Sequence, residues 1–185
     1  MNGGDEIVTP IASLARRFDT VVATQDFHPP GHVSFASAHA GMVPYQKIPL
    51  GSTGHEQVLW PDRCVTGTGG AALAPELPDE MISLILRKGT RRDVDSYSAF
   101  REDVDDSGTQ RTTGLGPWLH ARGIDTIYVA GLARDVCVRA TAVDAAAEGF
   151  TVIVLDRLTR EVWPARHDET DQAFAAAGVQ TQAAP

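Results

Sequence analysis

Short, nearly continuous β-branched runs alternate with helix-forming stretches along this chain, and that alternation limits its fold more than any other feature. Residues 20–24, 82–86, 126–129 and 151–155 read as buried strands, with a weaker one over 179–182. Between them, Ile7 to Arg17, Thr112 to Arg122, Asp135 to Glu148 and Ala165 to Ala177 have helix-forming composition. Gly149 and Gly178 stand where helices would end. Strands apolar on both faces and separated by helices fit a parallel sheet covered on both sides, an α/β fold. A length of 185 residues suits one domain spanning 1–185. The stretch from Phe27 to Leu77 is rich in Pro, Gly and His and too long for a passive connection, so it is expected to build a site.

Strand ends carry the chemistry. The first strand runs into Gln25-Asp26-Phe27-His28, the second into Arg87-Lys88-Gly89, and the third into Gly131 to Cys137. Ligands of open α/β sheets sit outside the carboxyl ends of the strands, so three strands deliver an Asp/His pair, a lysine and a cysteine to one edge. Lysine is rare here: of 16 basic residues only Lys47 and Lys88 are lysines, so each invites a reason. A net charge of −8 argues against nucleic acid or an anionic membrane as partner. No apolar stretch approaches a bilayer-spanning length, and MNGGDEIV has no signal-peptide core, so a cytoplasmic address is expected. Cys64 and Cys137 are too few for a disulfide framework or a structural zinc site.

Asp135 reads as an N-cap, placing Cys137 in the first turn of a helix, where free N–H groups and the macrodipole stabilise a thiolate. The plainer alternative is that Cys137 packs helix against sheet; Lys88 at a neighbouring strand end favours the nucleophile. Asp26, His28 and His32 form a set of the kind that ligates a divalent metal, or else a capped loop. His39 and His55 read as solvated loop. Trp60 and Tyr97 either wall a pocket for a planar ligand or cover the core edge, the core being the simpler reading. The acidic run from Glu102 to Asp106 reads as a solvated loop.

Four segments together, VVATQDFHPPGHVSF, WPDRCVTGTGGA, KGTRRDVDSYSAF and GLARDVCVRATAVDA, resemble the nicotinamidase/pyrazinamidase branch of the isochorismatase-like cysteine hydrolases in order and spacing. The resemblance runs from Gly4 to the C-terminus. It implies a six-stranded parallel sheet with helices on both faces, and hydrolysis of nicotinamide or pyrazinamide to the acid and ammonia through a Cys thioester, in NAD salvage. By motif position Cys137 is the nucleophile and Lys88 its charged partner. The amides of Ala133 and Cys137 would form the oxyanion hole, with a cis peptide between Leu132 and Ala133. Trp60 and Tyr97 would flank the pyridine ring. Asp26 and His28, with His32 nearby, would hold a divalent metal (zinc, iron or manganese). A small molecule is then the expected partner, and a homo-oligomer is compatible. A non-catalytic relative that binds an aromatic amide, or a related hydrolase with another substrate, is the alternative.

Two departures from the family pattern shape the expectations. The family's triad includes an Asp on a first strand, and the sequence opens on the loop and helix that normally follow it. No Asp takes that role, and the chain as written is expected to have little or no amidase activity. Second, Arg63 stands where the family's WPxHCV motif has a metal-binding His. A guanidinium has no lone pair to offer, so weak or absent metal binding is expected, with Arg63 donating to the ring nitrogen instead.

Overall fold

The computed structural model describes residues 2–50 and 54–183. Its strands are β1 (Val21–Asp26), β2 (Lys47–Leu50), β3 (His55–Val58), β4 (Ile82–Lys88), β5 (Thr126–Leu132), β6 (Thr151–Arg160) and β7 (Gln180–Gln182). The α-helices are α1 (Val8–Ala15), α2 (Leu115–His120), α3 (Arg139–Ala147) and α4 (His167–Ala176). Every strand and helix expected from the sequence forms, with shifted ends. β6 continues to Arg160 because, beyond a register shift, Thr159 and Arg160 pair again with Gly131 and Leu132 of β5.

Side chains alternate across β6, and this sets the layers. Val152 and Val154 face Leu115 of α2, Ala142 and Ala145 of α3, and Phe174 of α4. Ile153 and Leu155 face the opposite way, against Ile11 and Leu14 of α1. Helices therefore cover both faces of a parallel β5-β6-β7 sheet. β1 and β4 form a second parallel pair. Consecutive residues 20–24 and 126–132 all line one cavity of about 560 Å³. Neighbouring residues point to opposite faces, so the cavity must meet β1 and β5 edge-on. The sheet is thus divided, with two parallel edges facing a common cleft.

The segment from Phe27 to Leu77 is less irregular than its composition suggests. It contains the antiparallel hairpin β2–β3. Pro49 and the polar run His55-Glu56-Gln57 mask the strand pattern, which suits a pair set apart from the parallel strands. No helix among the described residues is long and apolar enough to cross a membrane.

Candidate active site

Pairing of β1 with β4 puts Asp26 directly opposite Lys88 at the carboxyl end of both strands. Nearly all of Lys88 is buried, and its Nζ donates to Asp26 Oδ1, to the Ser96 carbonyl at 3.1 Å and to Cys137 Sγ at 3.4 Å. Burial works against the Lys88 ammonium, but Cys137 and Asp26 outweigh it and hold the pKa above the ordinary lysine range. Burial likewise works against the Asp26 carboxylate, and Lys88 and Arg63 overcome it, so its pKa falls. Cys137 behaves differently from expectation. Burial raises its pKa, and the Lys88 contribution only partly reverses that. The net lowering expected from the helix terminus and ammonium does not result: burial outweighs the Lys88 cation that touches the sulfur.

Cys137 lies in a π-helical turn, Arg134–Val138, which follows a cis peptide at Leu132–Ala133 and leads into α3. The Ala133 carbonyl accepts from both Val136 and Val138 N–H, each at 3.0 Å, and this opens the turn. Asp135 does not cap the turn. Its carboxylate accepts instead from the amides of Val162 (2.9 Å) and Trp163 (2.8 Å), which ties the loop after β6 to the cysteine turn. That bond sets an aromatic wall. Trp163 packs on Trp60 with ring centroids 5.4 Å apart, and Trp60 Nε1 donates to the Tyr97 hydroxyl at 3.0 Å.

Beside this wall sits Arg63, whose guanidinium lies 5.3 Å from the centre of the Trp60 ring. Its Nη1 meets His28 Nε2 at 3.1 Å, and its Nη2 is 3.7 Å from Asp26 Oδ2. His28 is completely buried, with Nδ1 3.0 Å from the Gly89 carbonyl. Gly89 has φ of +63°, and a Cβ there would run into the His28 ring, so glycine is required on both counts.

The isochorismatase domain model matches residues 1–184. The chain belongs to the isochorismatase family. It is 46% identical to a nicotinamidase of Acinetobacter baylyi over 83% of its own length and 69% of that protein. It is 43% identical to an Escherichia coli nicotinamidase, covering 75% of the chain and 62% of the relative. Among solved structures, a nicotinamidase/pyrazinamidase of Acinetobacter baumanii superposes with a TM-score of 0.88 at 40% identity, covering 97% of this chain and 84% of that one. A pyrazinamidase of Pyrococcus horikoshii, solved in complex with zinc, superposes with a TM-score of 0.75 at 28% identity, over 98% and 87% of the two chains.

The metal donors of this isochorismatase domain are not grouped as expected. His28, His32 and Asp95, all buried, offer ligand atoms within 4.8 Å of one another, the spacing of a divalent-cation site. Asp26, expected in that group, is instead paired with Lys88 and faces Arg63. Even the trio is satisfied internally. His32 Nδ1 accepts from the Ser34 amide at 3.2 Å, leaving Nε2–H for the Val94 carbonyl at 3.1 Å. Asp95 accepts from the Ser96 amide at 2.9 Å and from Gln57 Nε2 at 3.1 Å. As placed, these residues do not fit a metal without rearranging.

Sequence reasoning missed Asp95, Trp163 and Gln57. Trp163 follows the carboxyl end of β6, so the strand-end rule that picked out Lys88 would have found it. Other expectations shift too. His39 is half-buried, with Nε2 2.8 Å from the Val33 carbonyl, and His55 lies within β3. The acidic run is tied down by Arg91, which pairs with Glu102 at 3.1 Å.

Proposed function

We propose that this domain hydrolyses nicotinamide, or the pyrazine analogue pyrazinamide, to the acid and ammonia in NAD salvage. The observation that carries the reading is the buried Lys88 ammonium in contact with both Asp26 and Cys137 at the carboxyl edge of the strands. The nicotinamidases it resembles support the substrate class.

Cys137 sulfur adds to the amide carbonyl as its S–H bond breaks, and the C=O becomes an oxyanion held by the Ala133 and Cys137 amides. Collapse of that intermediate breaks the C–N bond, and the thiol proton leaves on ammonia. Water then adds to the thioester, releases the carboxylic acid and restores the thiol. Lys88 favours the sulfur as it becomes anionic, which works against the effect of burial. Trp60 and Tyr97 bound the planar ring, with Arg63 beside it. A cytosolic setting suits Cys64 and Cys137, both free thiols.

The cleft between β1 and β5 is read as the place of the family's first strand, with its acid–base carboxylate. Two parallel edges lining one cavity support this. The test is ammonia release from nicotinamide by the 185-residue chain and by a version with the family's first-strand segment fused ahead of Asn2. The fused version should turn over, and Cys137→Ala should abolish it. The short chain should fall about 10²–10⁴-fold lower for want of a positioned acid–base. Equal rates would show that a residue already present does that work, and no turnover in either would sink the nicotinamide reading.

A further inference from the structure

We infer that the Arg63 guanidinium is the resident cation of this site: it stands at the Asp26–His28 corner in place of a divalent metal and presents free N–H groups to an acceptor atom on the substrate ring. The ring contact rests on the nicotinamide reading; the exclusion of metal does not.

Hydrogen bonding decides the His28 tautomer. A carbonyl can only accept, so the 3.0 Å contact with Gly89 O places the proton on Nδ1. Nε2 then carries the lone pair, which accepts from Arg63 Nη1 at 3.1 Å. That is the lone pair a metal would need, and an arginine cannot give up its proton to vacate it. Asp26 is committed as well. One oxygen accepts from Lys88, and the other faces Arg63 Nη2 at 3.7 Å. A dication entering here would meet two fixed cations, with the His28 lone pair taken and only the already ion-paired Asp26 carboxylate left to bind it.

The same geometry leaves Arg63 able to bind. Of its five N–H groups, one is used on His28, and no other hydrogen bond from the guanidinium forms among the described residues. Its side chain remains 27% exposed although His28 beneath it is fully buried, so the free edge opens outward. The Trp60 ring limits its movement on one side. A donor-only fork fixed beside an aromatic wall selects a planar ring with an acceptor lone pair, such as an azine nitrogen, over a carbocycle of the same shape. Loss of that one charge-assisted bond corresponds to about 10–100-fold in affinity.

Two measurements test this. Protein incubated with zinc chloride, dialysed and assayed by elemental mass spectrometry should retain no stoichiometric zinc, whereas Arg63→His should retain close to one equivalent. Stoichiometric zinc in the unaltered protein would overturn the inference. By calorimetry in a Cys137→Ala background, nicotinamide should bind at least roughly tenfold more tightly than benzamide, and Arg63→Met should bring the two together. Arg63→Lys, which keeps the charge with fewer donors, should fall between them and guards against a simple packing defect. Nicotinamide and benzamide binding alike to the Arg63 protein would overturn the ring contact while leaving the amide reading intact. Failure of both to bind would overturn that reading, and the ring contact with it, while zinc exclusion would still establish Arg63 as the cation.

Discussion

At the scale of single residues, His28 shows how burial and charge set behaviour. Burial and the neighbouring Arg63 cation push its pKa down from 6.5 to about 4. The unfolded chain therefore binds a proton between those values that the folded chain refuses. The resulting stability is complete above pH 6.5 and is lost as pH falls toward 4. Its size is on the order of 3 kcal/mol. Denaturant midpoints between pH 7 and 4 should fall less steeply in His28→Asn than in the parent, and matching slopes would refute the assignment. Gly89→Ala tests the same contact sterically. With φ of +63° and the His28 ring against the new Cβ, it should cost several kcal/mol, on the order of 2–4, read by chemical denaturation. Cys137 supplies a third expectation. Because burial raises its pKa and Lys88 lowers it, alkylation should accelerate as pH rises, and Lys88→Met should slow it at neutral pH. An unchanged rate would separate Lys88 from the thiol. Cys137, Lys88, Asp26 and His28 were legible in the sequence because each ends or follows a strand. Asp95 was not, since only the folded chain sets its carboxylate beside the two histidines.

At the scale of elements, the join between the cysteine turn and the loop after β6 governs the shape of the site. Asp135 reads locally as a cap, because an acidic residue just before a helix usually is one. Tertiary structure offered its two oxygens a better pair of partners, the Val162 and Trp163 amides. Arg134 reinforces the join, pairing with Asp156 at 2.9 Å and Asp171 at 2.6 Å from β6 and α4. Asp135→Ala would leave two amides without an acceptor, each costing about 1–3 kcal/mol where water cannot reach. A loss of roughly 2–5 kcal/mol in urea denaturation is expected, together with greater solvent quenching of Trp163 fluorescence. Asp135→Asn keeps one carbonyl oxygen and should lose about half as much. Equal, small effects from both would show that the loop is held by packing of Trp163 on Trp60 alone. The β2–β3 hairpin escaped the sequence for the opposite reason: its stabilisation lies in backbone pairing, with Pro49 and Glu56 where apolar alternation would have marked it.

At the scale of the whole molecule, the parallel sheet was legible and its division was not, because strand patterning shows which runs pair but not whether every edge finds a neighbour. The cleft between β1 and β5 holds about 560 Å³. Open to solvent along one flank, the cleft holds water or chain. Water is the occupant its walls can accommodate, because alternate N–H and C=O groups of β1 and β5 point away from their paired strands and into it. Tyr128 and Leu132 of β5, 39% and 43% exposed, show that the apolar flank is open too. β6 is the contrast, paired with β5 on one side and β7 on the other. Amide hydrogen exchange should therefore be uneven. The cleft-facing amides of β1 and β5 should exchange roughly a hundredfold or more faster than Val152 to Leu155, through openings well below the global unfolding energy. Fusing the family's first-strand segment should then raise protection along both edges together, because a single inserted strand pairs with both at once. If β1 and β5 are already protected as well as β6 in the 185-residue chain, the edges are covered and the cleft is not a strand site. If the added segment protects one edge alone, it has bound without completing the sheet, and the carboxylate it carries would not come to rest above Cys137.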